Sequence, residues 1–310
     1  MDSDIKLFFR TQLAEIAKAQ SDCDFTEDWP SPLDINVLCG KAAGFFIYAS
    51  TVVKFVTFRH RTPTEQLEQI ISSPQNTTHE GRSGIDLLYS QILEQAVVDV
   101  DTDDDDDEIH RRFKAVVGTV VLVFNPLSVR ALSDLLKMSS ILTTLHSLHS
   151  LLLIPDGPED PIRIFHKSFP DFLTDHKRCK SKQFFVDPAV HHAEILLSCL
   201  KLMRKRLKRN ICNLDDYAVL SEVKDLSACK DHIGDALEYA CHFWTKHLLE
   251  IPDSSPFAEE VQRAIDQFFT TGLLHWIEVL VLTRNLGAGV YAINDVEQWY
   301  VLVSTVKNIY

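Results

Sequence analysis

Three features of the sequence predict a mainly α-helical protein. Apolar residues recur at three- and four-residue spacing through most of the chain, Ser-Pro and Thr-Pro pairs stand before two of these runs, and only two short segments read as strands. The chain has 310 residues, enough for roughly two or three domains, and 45% hydrophobic with 24% charged residues is a composition that buries ordinary cores.

In chain order, Ile5, Phe8, Phe9, Leu13, Ile16 and Ala17 predict an amphipathic helix over 4–19. Ser31 caps and Pro32 opens a short helix to about Cys39. The block from Ala42 to Val56 is apolar almost all round, so it is a central helix or a buried strand, and its length favours helix. Thr62-Pro63-Thr64-Glu65 opens another helix, and Ile85–Ala96 forms one more with Leu88, Ile92 and Leu93 inward. Together these predict a first helical bundle over 1–98. From Asp99 to Glu108 stand seven aspartates and a glutamate, whose mutual repulsion predicts a solvated linker over 99–108.

A helix over 109–123, a second from Val129 to Leu136 and a third over 140–148 come next. Strand 151–154, a turn rich in Pro, Asp and Gly, and strand 162–165 follow. Three helices and a small β-hairpin are the layout of a winged helix, which predicts a winged-helix domain over 109–182. The rest, 183–310, predicts a C-terminal helical array with helices near 188–207, 228–249, 256–270, 272–284 and 293–308. The fold class is therefore mainly α: bundle, winged helix, array.

Charge and cysteine content narrow the function. A formal net charge of −13 argues against general attraction to nucleic acid or an anionic membrane surface. The seven cysteines (Cys23, Cys39, Cys179, Cys199, Cys212, Cys229 and Cys241) are odd in number, scattered and without a C-x-x-C pair, which suits reduced thiols. The N-terminus lacks the layout of a signal peptide, and no run of about 18 uncharged apolar residues offers a membrane span. A cytoplasmic location is expected.

No catalytic or metal site is predicted. The chain has no G-x-x-x-x-G-K-[ST] phosphate loop; Gly40-Lys41 comes closest and lacks the earlier glycine and the hydroxyl residue. Val97-Val98-Asp99-Val100-Asp101 faintly resembles the strand and acid pair that hold Mg²⁺ in nucleotide hydrolases, but the missing loop favours the linker reading. His191 and His192 with Glu194, His146 with His149, and His242 with His247 lack the spacing that puts two imidazoles on one metal. Ser168, His166 and Asp171 have the residue types of a hydrolytic triad, yet nearness in sequence does not create triad geometry. Trp244, Trp276 and Trp299 sit at helical spacing and are expected in the core. The basic run Arg204–Arg209 is read as cations set against the negative end of a helix, with a polyanion or nuclear-import patch as the alternative.

One stretch joins a two-residue period to a helical one around a single histidine. Ile162, Ile164 and His166 share a face of a short strand, and Phe169, Phe172 and Leu173 then fall at helical spacing. With Ser168 as N-cap, His166 would stand beside free backbone N–H groups at a positive helix end, a place suited to an anion. The alternative is a structural histidine on a half-buried strand. DNA binding is poorly supported, because the would-be recognition helix 140–149 has no Lys or Arg and the wing carries acids.

Five stretches, taken in order, resemble the fungal signal-transduction NTPases of the STAND class, which carry a NACHT domain often followed by WD repeats. They are Gly44–Val53, Asn125–Ser128, Leu145–Pro155, Ile164–Leu173 and Tyr239–Leu248. The resemblance implies a region that follows the nucleotide-binding core: a helical segment, a winged helix, and an array leading to repeats. It further implies that His166, the histidine of an F-x-H-x-[ST]-F motif, contacts the β-phosphate of bound ADP and helps hold a closed state. A NACHT core and a downstream repeat domain are the implied partners, with other proteins, and without DNA or membrane. The P-loop and recognisable repeats are lacking, so the chain is expected to be a fragment or to act with a core supplied elsewhere. It would hold no cofactor itself, ADP or ATP entering only with that core. The expectation is a non-catalytic regulatory segment whose winged helix closes on the core in the ADP state. A helical interaction scaffold without nucleotide, or a DNA-binding winged-helix protein, are the alternatives.

Overall fold

The computed structural model describes residues 2–20, 23–26, 28–57, 61–73, 84–98, 105–139, 141–215, 227–252 and 255–307. Among these the fold is mainly α, with fifteen helices and one two-stranded sheet. The N-terminal helices are α1 (Asp2–Ala19), α2 (Pro32–Ala42), α3 (Phe46–Thr57), α4 (Pro63–Ser72) and α5 (Gly84–Val98). Next come α6 (Asp106–Leu122), α7 (Val129–Leu136), α8 (Ile141–His146), β1 (Leu152–Leu153), β2 (Arg163–Ile164) and α9 (Ser168–Leu173). The order ends with α10 (Pro188–Arg206), α11 (Ser227–Ile233), α12 (Asp235–Leu249), α13 (Ala258–Thr271), α14 (Leu273–Leu282) and α15 (Leu286–Lys307).

Local chemistry explains most of the boundaries. Ser31 and Thr62 each accept the N–H three residues on, and Asp34 and Glu65 return a carboxylate to the cap N–H, so both predicted helix starts are full capping boxes. The block beginning at Ala42 is helical only from Phe46, because Ala43 and Gly44 take left-handed backbone (φ 47° and 82°) that ends α2. The acidic run enters the helix earlier than expected. Asp106, Asp107 and Glu108 form the first turn of α6, where the macrodipole favours acids, and Asp105 accepts the Glu108 N–H at 2.8 Å. The remainder of the expected linker, 99–104, lies outside the described residues.

Two further breaks differ from expectation. The single helix expected over 228–249 is divided at Gly234, whose φ of 71° suits glycine and forms the junction between α11 and α12. The last helix starts at Leu286, ahead of the expected Ile293, across two glycines that weaken the sequence signal. Gly289 has a packing reason: a Cβ there would stand 2.7 Å from Leu280 Cδ1 of α14.

The chain forms two compact units, each assembled from separate segments: 1–112, 143–154 and 163–185 in the first, and 113–142, 155–162 and 186–310 in the second. In the first, α3 is central and packs against α1, α2, α4 and α5, burying Tyr48, Ala49, Val52, Phe55 and Val56. β1 and β2 pair antiparallel, Leu152 opposite Ile164 and Leu153 opposite Arg163, and lead into α9. α9 lies on α5, with the Phe169 and Phe172 rings 5.4 and 5.5 Å from that of Tyr89.

In the second unit α10 and α12 pack together, with α7, α13, α14 and α15 around them. Trp244, Trp276 and Trp299 are core residues as expected, and the Trp276 indole donates to the Cys241 carbonyl at 2.9 Å. All seven cysteines are free thiols, five of them buried. Among the described residues no single helix is long and apolar enough to cross a membrane; α13 and α14 reach that length only as a pair bent by 76°.

Candidate functional site

His166 lies at the turn from β2 into α9, with its ring exposed to solvent. Ile162 is buried and Ile164 half-buried, so the expected apolar strand face is present, but His166 has left it for the surface. Ser168 is not the N-cap. That position belongs to Lys167, which makes no side-chain cap bond, and Ser168 is the first residue of the six-residue helix. The cap is supplied by the histidine itself, because the Ser168 N–H donates to His166 Nδ1 at 3.1 Å. The backbone donor that sequence reasoning left free for an anion is therefore used internally.

The Ser168 hydroxyl lies 2.7 Å from His166 Nδ1 and 2.7 Å from the phenol of Tyr89 on α5. Tyr89 is 1% exposed, and burial raises the pKa of its phenol, so it keeps its proton. Past the other end of α9, Arg178 donates to Asp86 of α5 through Nε at 3.1 Å and Nη2 at 2.6 Å. α9 is thus fastened to α5 at its start by Tyr89 and beyond its end by Asp86. Beside it, the Lys54 ammonium sits over the Phe165 ring, 3.1 Å from the centroid, and burial lowers its pKa.

A second constellation, in the other unit, was not visible in sequence. His192 of α10 and His247 of α12, placed in separate groupings by spacing, meet Nδ1 to Nδ1 at 2.7 Å. His247 Nε2 lies 2.8 Å from the Tyr239 hydroxyl, which accepts the Phe124 N–H at 3.2 Å. Burial, followed by His191 for His192 and by His192 for His247, lowers His192 to about 4 and His247 to about 3, so both imidazoles are neutral at pH 7. The only available signal was that both histidines lie on apolar helical stripes. Among the described residues no group of three His, Cys, Asp or Glu side chains is placed to hold a metal ion.

The basic run ends α10, with Arg204, Lys205 and Arg206 in its last turn as the dipole favours. Arg206 reaches Asp134 at 3.7 Å, and Arg204 donates to Gln267 at 2.8 Å. Between α10 and α13 runs a groove of about 540 Å³ lined by Lys201, Arg204 and Arg263 among others.

In sequence the chain is similar to the vegetative incompatibility protein HET-E-1 of Podospora anserina, 25% identical over an alignment of 236 residues that covers 69% of this chain and 16% of that protein. The match thus covers a small part of a much longer relative. No protein-family model matches the chain, and no solved structure does.

Proposed function

We propose that this chain is a non-catalytic regulatory segment of a nucleotide-gated signalling switch, the part that follows a NACHT core, and that His166 reads nucleotide state when such a core is present. The observation that carries the reading is the form of the His166 site. Its Nδ1 is engaged by Ser168, and its ring is exposed at a junction fastened from both sides to α5. The residues Phe165-His166-Lys167-Ser168-Phe169 support it by their motif, although Ile164 stands where the motif has its first phenylalanine. Similarity to a fungal incompatibility protein supports a signal-transduction setting. In chain order α6, α7, α8 and the β1–β2 pair follow the winged-helix layout, which supports a domain that closes on the core in the ADP state, although the two compact units divide these elements between them. ADP or ATP would be bound by the partner core, this chain adding one hydrogen bond from the imidazole.

The test is to join the chain to a NACHT core and measure ADP retained after gel filtration. His166→Ala should speed ADP loss about ten- to a hundred-fold, as the loss of a hydrogen bond to a charged group, worth roughly 1.5–3 kcal/mol, implies. Unchanged retention removes the sensor role. The chain by itself should not hydrolyse ATP, and turnover that survives repurification would overturn the non-catalytic reading. The second reading, a helical scaffold without nucleotide, is favoured by the groove between α10 and α13, where Lys201, Arg204, Glu260 and Arg263 stand beside apolar side chains as on a protein-docking surface. It predicts retention indifferent to His166.

A further inference from the structure

We infer that Tyr89 and Ser168 are positioning residues for His166: they hold its imidazole as the Nε2–H tautomer, so that the outer ring edge donates to an acceptor oxygen such as that of a phosphoryl group. The inference deepens the proposed reading of nucleotide state and rests on it for the ligand's identity, whereas the tautomer is a property of this chain alone.

The proton positions follow from the geometry. A backbone N–H can only donate, and that of Ser168 points at His166 Nδ1 from 3.1 Å, so Nδ1 is an acceptor and carries no hydrogen. The Ser168 hydroxyl, 2.7 Å from the same nitrogen, must then place its own hydrogen on Nδ1. Its oxygen is left to accept, and the Tyr89 phenol, 2.7 Å away, supplies the donor. The result is a directed chain, Tyr89 O–H to Ser168 O–H to His166 Nδ1. A neutral imidazole has one hydrogen, so it resides on Nε2. A hydrogen on Nδ1 would instead face the Ser168 N–H across 3.1 Å.

Each member has a structural reason for its direction. Tyr89 lies among Phe169 and Phe172, where burial keeps the phenol protonated and the ring cannot swing away. Ser168 opens α9, so its hydroxyl and its amide approach the imidazole from one residue. His166 therefore reaches solvent with its orientation already set, and a ligand need not select the tautomer. Such preorganisation lowers the cost of binding and discriminates against a ligand group that is itself a donor.

The test uses the full chain with ¹⁵N-labelled histidine and long-range ¹H–¹⁵N correlation at neutral pH, the His166 signals being identified by their loss in His166→Gln. Expected are a protonated Nε2 and an unprotonated Nδ1 in a single tautomer. Ser168→Ala should shift both nitrogens toward the averaged values of mixed tautomers, Tyr89→Phe should move them part of the way, and Ser168→Thr should restore the wild-type pattern. An Nδ1–H form in the wild-type chain, or variant spectra identical to wild type, overturns the inference. Circular dichroism checks the fold of each variant, and the wild-type spectrum decides by itself if a variant fails to fold. Failure of the functional reading looks different: a single Nε2–H tautomer with ADP retention indifferent to His166→Ala leaves the relay standing and removes the nucleotide.

Discussion

Asp86 is a carboxylate taken almost wholly out of water, 2% exposed, and its partner Arg178 stands 92 residues away in the chain. Asp86 in turn raises the pKa of the guanidinium through its hydrogen bond. A buried pair of this kind adds little over an apolar pair of the same shape, but removing one partner takes away much of what compensates the other charge. Arg178→Ala should therefore lower the stability of the first unit by about 3 kcal/mol, the lower end of the range for a broken buried pair, because Arg178 is partly exposed. Urea denaturation followed by far-UV circular dichroism checks it. Asp86→Leu combined with Arg178→Met should recover most of the loss, whereas equal losses in the single and double variants would show that the charge is not what matters. The same residue-scale logic governs His166: its partners set the hydrogen, and the imidazole displays it.

At the scale of elements, α6 shows how a close approach can override helix propensity. Gly118 stands inside this helix, where alanine would ordinarily be preferred by about 1 kcal/mol. A Cβ at Gly118 would lie 2.5 Å from Cδ2 and 2.8 Å from Nε2 of His191 on α10. That ring cannot easily give way, since its two nitrogens lie 3.2 Å from the carbonyl oxygens of Asp187 and Lys114. Gly118→Ala should thus destabilise the second unit by about 1–3 kcal/mol, the usual cost of overpacking, despite its better propensity. A lowered thermal midpoint is the expected reading, and a raised one would show that the ring moves aside without cost. The two capping boxes, by contrast, act within their own first turns.

On the scale of the whole molecule, two units share one chain that passes between them more than once, and three of the four tryptophans, all but Trp29, lie in the second. Trp244, Trp276 and Trp299 all belong to the second unit, where His192 and His247 are buried neutral. In the unfolded chain both imidazoles take up protons near pH 6.5, whereas in the fold they resist protonation down to about 4 and about 3. Below pH 6.5 the unfolded state consequently binds more protons. Their contribution is fully present above that pH and is lost as pH falls toward 4, by up to about 1.4 kcal/mol per pH unit for each histidine. The urea midpoint followed by tryptophan fluorescence should drop steeply from pH 7 to 4.5. Replacing both histidines with glutamine should flatten that slope, and an unchanged slope would place the acid sensitivity elsewhere.

The sequence by itself determined what acts over a few residues. The helical class follows from apolar spacing, the starts of α2 and α4 from Ser31-Pro32 and Thr62-Pro63, and the buried tryptophans from their place on helical stripes. His166 was singled out because the change of period around it is local too. Tertiary structure decided the rest. The break at Ala43 and Gly44, the junction at Gly234 and the early start of α15 depend on how helices are packed and turned, which propensity does not encode. Tyr89 meets Ser168 across 79 residues, Asp86 meets Arg178 across 92, and His192 meets His247 across 55. Each such pair leaves no period or motif in the chain, because side chains that far apart acquire a common environment only when the elements carrying them pack.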